Sequence, residues 1–181
     1  MKNHGIFLSF NDNPKHVKHS LRPDDFEYGR CIQTLPVSTV DCIFINKNNK
    51  TFILAKRTQH PMKDEPWFFG GRIKFGVPVK EMLDKIILHE TGIKMYHKRI
   101  YFLTFIDWLF SIRSQEPQDI GSHNILHLFV YRCTQKEIKK IINSKPNDGF
   151  DHKFGFQEFD RKRIQEECRP EILKLYDMIF D

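Results

Sequence analysis

A helix with both of its ends written into the chain constrains this sequence most. Pro78 suits a first helical turn, Gly92 suits the residue just past a last one, and no Pro or Gly interrupts the run between them. At about 100° per residue, Val79, Met82, Leu83, Ile86 and Ile87 share one apolar face, which has to be laid on a partner layer. The flanking sequence supplies that layer as strands. Residues 37–45 are rich in β-branched side chains (Val37, Thr39, Val40, Ile43, Ile45), 46–50 is turn chemistry, and 51–55 returns as the second arm of a hairpin. After a loop with Pro61 and Pro66, Trp67-Phe68-Phe69 ends an aromatic strand at Gly70-Gly71. Residues 99–112 read as a long, bent strand and 124–133 as another. Helices are predicted over 135–142, 160–168 and 170–180, with a short strand near 154–156. Strands and helices interleaved around one core place the chain in the α/β (α+β) class. We expect residues 1–20 to form a polar appendage and 21–181 a single domain.

Composition narrows the setting. With 17 Phe and 40% hydrophobic residues among 181, the chain is too apolar for disorder. Its greasiest stretch, 101–110, is broken by Thr104 and Asp107, far short of the roughly 20 apolar residues a spanning helix needs. The run 5–10 is too short for a signal peptide. Cys31, Cys42, Cys133 and Cys168 are scattered without a CxxC, so neither a zinc knuckle nor a disulfide framework is indicated. We expect a soluble, cytoplasmic protein that makes no use of a membrane. The net charge of +6 comes from short basic groups without an aromatic RNA-binding signature, so phosphate-bearing small molecules fit better than nucleic acid.

One residue sits awkwardly in this scheme. Glu90 falls in the apolar stripe, in the last helical turn, where the helix dipole disfavours negative charge. Either the helix end emerges and Glu90 snorkels or pairs with a lysine, or a metal ion or arginine compensates it. The carbonyl of a bare glycine backbone at Gly70-Gly71, together with a helix carboxylate, makes a hard-oxygen site for Mg²⁺ or Mn²⁺. Arg72 beside it could grip a diphosphate in fork geometry.

The stretch from Gly71 to Ile93 resembles the signature of the Nudix hydrolases, G-x5-E-x7-R-E-U-x-E-E-x-G-U, with U a bulky apolar residue. Gly71, Glu90, Gly92 and Ile93 match, whereas Val77, Lys85, Ile86 and His89 replace the first Glu, the Arg, the next Glu and the penultimate Glu. The GDP-mannose mannosyl hydrolase branch departs similarly, and other segments look like it: Leu21-Arg22-Pro23-Asp24-Asp25-Phe26, Leu35-Pro36-Val37-Ser38-Thr39-Val40-Asp41, Lys56-Arg57-Thr58 and Phe68-Phe69-Gly70-Gly71-Arg72-Ile73. The resemblance implies an α/β/α sandwich around a mixed β-sheet. It also implies Mg²⁺ (or Mn²⁺) held by the Gly70 carbonyl and Glu90, with Arg57 and Arg72 on the phosphates. Asp41 would contact the sugar or a dimer arm.

The branch further has a Gln-His pair in a late loop, for metal and general base. Phe150 and Asp151 fall there without a gap, and Asp151 and His152 with a shift of one residue. The shift makes Asp151 a third ligand and His152 the base. On plainer readings Arg57 is an exposed strand-end cation, Asp41 faces outward, and His152 is an exposed loop residue.

The implied reaction is Mg²⁺-dependent hydrolysis of a GDP-mannose-like GDP-sugar to GDP and sugar. Loss of three acidic positions also suits a Nudix-fold module that binds nucleotide sugars without turnover; ordinary pyrophosphate cleavage is the third reading. His123, His127 and Asp107 are expected to be satisfied or outward-facing. The apolar residues of the last helix (Leu173, Leu175, Tyr176, Ile179, Phe180) would cover either the core or a homodimer seam.

Overall fold

The hairpin expected in the first third of the chain forms, and its first strand becomes the middle of a sheet. The computed structural model describes residues 24–181; the expected appendage and the first three residues of the 21–26 segment lie outside the described residues. In chain order the elements are α1 (Asp25–Thr34), β1 (Val37–Asn46), β2 (Thr51–Lys56), β3 (Pro66–Trp67), β4 (Phe69–Arg72), α2 (Val79–Thr91), β5 (Ile100–Phe110), β6 (Ser122–Arg132), α3 (Gln135–Ile142), β7 (Phe156–Phe159), α4 (Arg161–Glu167) and α5 (Pro170–Phe180).

The sheet runs β3-β2-β1-β6-β5, with β4 also paired to β1 and β7 to β2. β1 and β6 are parallel, and the other pairings are antiparallel, so the sheet is mixed. β1 is shared along its length. Its last residues pair with β2 (Phe44↔Ile53), while its first half pairs with β4, setting Asp41 opposite Gly70 and Val40 opposite Gly71. This exchange of partners brings the glycines to the middle strand.

Alternation along β1 sends side chains to two cores. Val40, Cys42 and Phe44 join α2 (Met82, Leu83, Ile86, Ile87) and α3 (Ile138, Ile141) on one face. Ile43 and Ile45 join α4 (Ile164) and α5 (Ile172, Leu175, Tyr176) on the other. The result is helix, sheet, helix.

Several expectations need correction. The aromatic strand that Gly70, Gly71 and Arg72 end is split at Phe68 into β3 and β4, β3 pairing with β2 and β4 with β1. The last strand lies at Phe156–Phe159, with Phe156 and Phe159 both buried. β5 stops at Phe110, and its bend is a bulge between Phe102 and Thr104. Helix α1 was not anticipated, although Asp24 and Glu27 form a reciprocal capping box at its start. Of the two roles considered for the final helix, α5 takes the first: its apolar side covers the core, and Tyr176 Oη donates to the Lys50 carbonyl at 2.6 Å.

Candidate functional site

The site forms where β4 passes under the end of α2. Gly92, in the left-handed region at φ 67°, stops the helix one turn after Leu88, leaving Glu90 in the last turn. Gly70 N–H donates to Glu90 Oε2 at 3.0 Å. The glycines permit this approach. A Cβ on Gly70 would lie 2.1 Å from Asp41 Oδ1, and one on Gly71 would lie 3.3 Å from Ile86 Cδ1.

Three ionisable side chains, Glu90, Asp41 and Arg57, act on one another near Gly70. Burial pushes the Glu90 carboxyl up to about 8; the Gly70 hydrogen bond and Arg57 pull against that, and Asp41 adds to it. Burial likewise raises Asp41 to about 7, opposed by the Thr39 hydroxyl hydrogen bond and by Arg57. Arg57 is lowered by its own burial and supported by both carboxylates. The two carboxyls thus share one arginine. The cation acting on Glu90 is Arg57 rather than a lysine, Arg57 is half-buried rather than an exposed strand-end cation, and Asp41 is only 6% exposed rather than outward-facing.

Beside this centre opens a cavity of about 450 Å³ between β4 and α2, lined by Gly70, Gly71, Arg72, Lys74, Val77, Met82, Lys85, Ile86, His89 and Glu90. Its charged lining is one carboxylate against three cations. Arg72 is held with its guanidinium 3.8 Å from the ring centroid of Tyr28 on α1. Asn147 Oδ1 accepts from Gly149 N–H, which turns its Nδ2 toward His89 Nδ1 at 3.0 Å. His89 Nδ1 is then the acceptor, and Nε2 carries the proton, a donor for an anion.

The late loop arrives differently from the expected arrangement. Asp151 closes its own turn, its Oδ1 accepting from the N–H groups of Lys153 (2.7 Å) and Phe154 (3.2 Å), bonds that lower its pKa. His152 Nε2 lies 3.4 Å from Asp148 Oδ1. Neither is among the residues lining the cavity, and Phe150 packs into the core against Phe69. No group of three or more His, Cys, Asp or Glu side chains suited to a metal ion occurs among the described residues. As expected, His127 and His123 are partnered, by the Thr39 carbonyl at 2.8 Å and by Asp107 at 2.6 Å. Not anticipated were Lys74, Lys85, His89 and Tyr28. The spacing of Lys85 and His89, four residues apart beside Ile86 and Glu90, was the signal for two of them.

The loop after β5 is built around Arg113, which is 1% exposed. Its Nε donates to the carbonyls of Gln115 and Pro117 and its Nη2 to that of Glu116. α1 lies on this loop, so close that a Cβ on Gly29 would lie 3.0 Å from the Glu116 carbonyl oxygen.

Solved structures share this architecture. A MutT NUDIX hydrolase from Burkholderia pseudomallei superposes over 80% of this chain and 98% of its own, with a TM-score of 0.59 at 14% identity. The MutT protein of Methanosarcina mazei Go1 does so over 80% and 93%, with a TM-score of 0.58 at 12% identity. The chain has the Nudix fold. The NUDIX domain of Shewanella oneidensis NrtR, solved with ADP ribose, matches over 81% and 87%, with a TM-score of 0.55 at 11% identity. No family model matches the sequence, and no curated protein does. Within this Nudix fold, the segment from Gly71 to Ile93 forms the end of the glycine strand, the cavity loop and α2. No helix among the described residues is long and apolar enough to cross a membrane.

Proposed function

We propose that this chain is a Mg²⁺-dependent hydrolase of a nucleoside diphosphate-linked sugar, GDP-mannose-like, releasing GDP and the sugar. The observation that carries the reading is Glu90, hydrogen-bonded to Gly70 and facing a cavity with a basic lining. Arg72, Lys74 and Lys85 give that cavity the charge to bind a diphosphate, and His89 adds a donor.

The donor set fits a hard divalent cation. Glu90 and Asp41 lie beside Gly70 with one arginine to offset them, and burial holds both carboxyls raised, so a bound cation would supply the positive charge that lets them ionise. Glu90 and the Gly70 carbonyl would hold Mg²⁺, with Mn²⁺ as a substitute. When bound, the ion supplies charge that stabilises the departing diphosphate. Arg57 acts on Glu90 through its charge, Arg72 is oriented by Tyr28, and Asp41 fixes β4 by packing on Gly70. For Asp151 to serve as a ligand and His152 as the base, the loop 147–153 has to leave its own turn. Turnover that survives His152→Gln removes that residue from the mechanism.

One observation favours a second reading, a binding module without turnover: the cavity lining holds no acidic side chain besides Glu90, and its imidazole is a donor. Product identification separates the readings. Purified protein is mixed with GDP-, UDP- and ADP-sugars and Mg²⁺, with Glu90→Gln as control. GDP and free sugar, lost in the variant, are expected. A nucleoside monophosphate with sugar phosphate moves the attack to phosphorus, and binding without product leaves the module.

A further inference from the structure

Arg72 enters the cavity with its bonding capacity unspent. Among the described residues its side chain makes no hydrogen bond and no ion pair, and its guanidinium lies over the Tyr28 ring, 3.8 Å from the centroid. A guanidinium over a ring face interacts through its charge and uses none of its N–H donors. Tyr28 is set in turn by its neighbour. Gly29 is buried in α1, where glycine is a poor helix former, and the three nearest neighbours of a Cβ there would all belong to the loop after β5. They are the Glu116 carbonyl oxygen at 3.0 Å, Gln115 Cβ at 3.7 Å and Arg113 Nη2 at 3.9 Å. That loop is held from within by the buried Arg113, which spends its guanidinium on three of the loop's own carbonyls, and from outside by Ser114 Oγ, which donates to the His60 carbonyl at 2.8 Å. At its other end α1 is tied to the sheet. Leu35 and Pro36 alone separate it from β1, whose Thr39 pairs with Arg72.

We propose that Tyr28 and Gly29 are positioning residues for diphosphate binding: Gly29 seats α1 on the Arg113 loop, and from that seat Tyr28 holds the Arg72 guanidinium as a preformed fork. The proposal rests on the reading of the cavity as a diphosphate site. Neither α1 residue is among those lining the cavity, so both act through Arg72. A free arginine side chain gives up rotamer freedom when an anion orders it, and Tyr28 removes much of that freedom beforehand. Two consecutive residues of one helix thus divide the task, one fixing where the helix lies and the other aiming the arginine. A methyl group added at Gly29 would favour α1 as a helix while opposing its seat on the loop. Affinity and helix formation therefore part company at this position, which separates positioning from folding.

The test is calorimetric titration of the full chain with inorganic pyrophosphate in the presence of Mg²⁺, which needs no turnover. Tyr28→Leu should weaken binding by about fivefold or more, and Tyr28→Phe, which keeps the ring face, by less than about twofold. Gly29→Ala, which wedges α1 against the Glu116 carbonyl, should weaken it by about threefold. In an Arg72→Met background, Tyr28→Leu and Gly29→Ala should each change the affinity by less than about 1.5-fold, a non-additivity that a general loosening of the fold does not produce. Unchanged far-UV circular dichroism shows that each variant is folded. A wild type that binds no pyrophosphate, or binds it as well after Arg72→Met, overturns the diphosphate reading and this proposal together. Binding that Arg72→Met weakens but Tyr28→Leu or Gly29→Ala leaves alone overturns the proposal and spares that reading. So do equal losses in Tyr28→Phe and Tyr28→Leu, or an effect of either α1 substitution that persists without Arg72.

Discussion

Two Glu–Arg centres lie on the same side of this sheet, and they have opposite characters. At Glu137, burial alone would raise the carboxyl. Arg99 in a two-pronged contact, the N–H and hydroxyl of Thr134 and the hydroxyl of Tyr131 bring it down to about 2. At Glu90, burial raises the carboxyl to about 8 because one backbone N–H and a nearby arginine are its main support. The number of hydrogen bonds decides which effect wins. A satisfied carboxylate holds structure together, whereas an under-satisfied one leaves bonding capacity for a ligand.

Breaking the contrast at its base has the largest effect. Gly70→Ala drives a Cβ to 2.8 Å from the Asp41 Cα as well as into its carboxylate, so main chain has to move. A loss of about 3 kcal/mol in denaturant unfolding is expected, and with it the site. Next, Arg99→Met strips Glu137 of its paired contact and should cost about 2 kcal/mol in the same measurement. Arg57→Met should cost less, because Glu90 and Asp41 can remain protonated. A larger loss at Arg57 than at Arg99 would reverse the assignment of roles.

The contrast sharpens with a ligand and with pH. Mg²⁺ at a hundred times its dissociation constant should stabilise the wild type by about 2.7 kcal/mol and leave Glu90→Gln unmoved, read from melting curves. In pH, the two carboxylates act in opposite senses. Glu137 is lowered from the ordinary 4.5 to about 2, so its stabilisation is complete above 4.5 and is lost as the pH falls toward 2. Glu90 is raised from 4.5 to about 8, so its folded-state proton favours folding in acid, an advantage lost as the pH rises toward 8. Urea midpoints against pH should flatten on the acid limb in Glu137→Gln and on the alkaline limb in Glu90→Gln.

Local chemistry made much of this legible. Pro78 and Gly92 marked α2 to within a residue, and the turn at 46–50 set the hairpin. α1 was missed because residues 25–34 lack a clear apolar face, though Asp24 and Glu27 announced its start. The glycines were read as the end of an aromatic strand, and they end β4; that Phe68 divides the strand, sending β3 to β2 and β4 to β1, rests on tertiary pairing that the sequence does not spell out. At the site, helical spacing exposed Glu90, but sequence contains no distances between loops. The late loop reaches α2 through Asn147, an amide with no chemical signature of its own, while Asp151 satisfies its own turn.

The carboxylate of Glu137 also has a consequence in time. It receives the Thr134 N–H at the start of α3, the Tyr131 hydroxyl near the end of β6, and Arg99 from the turn before β5; the same hydroxyl receives the Tyr96 N–H. None of the three segments can fray without freeing donors in the others. They should therefore open as one cooperative unit, with the amide protons of Tyr96 and Thr134, 38 residues apart by their numbers, exchanging with solvent at a common rate.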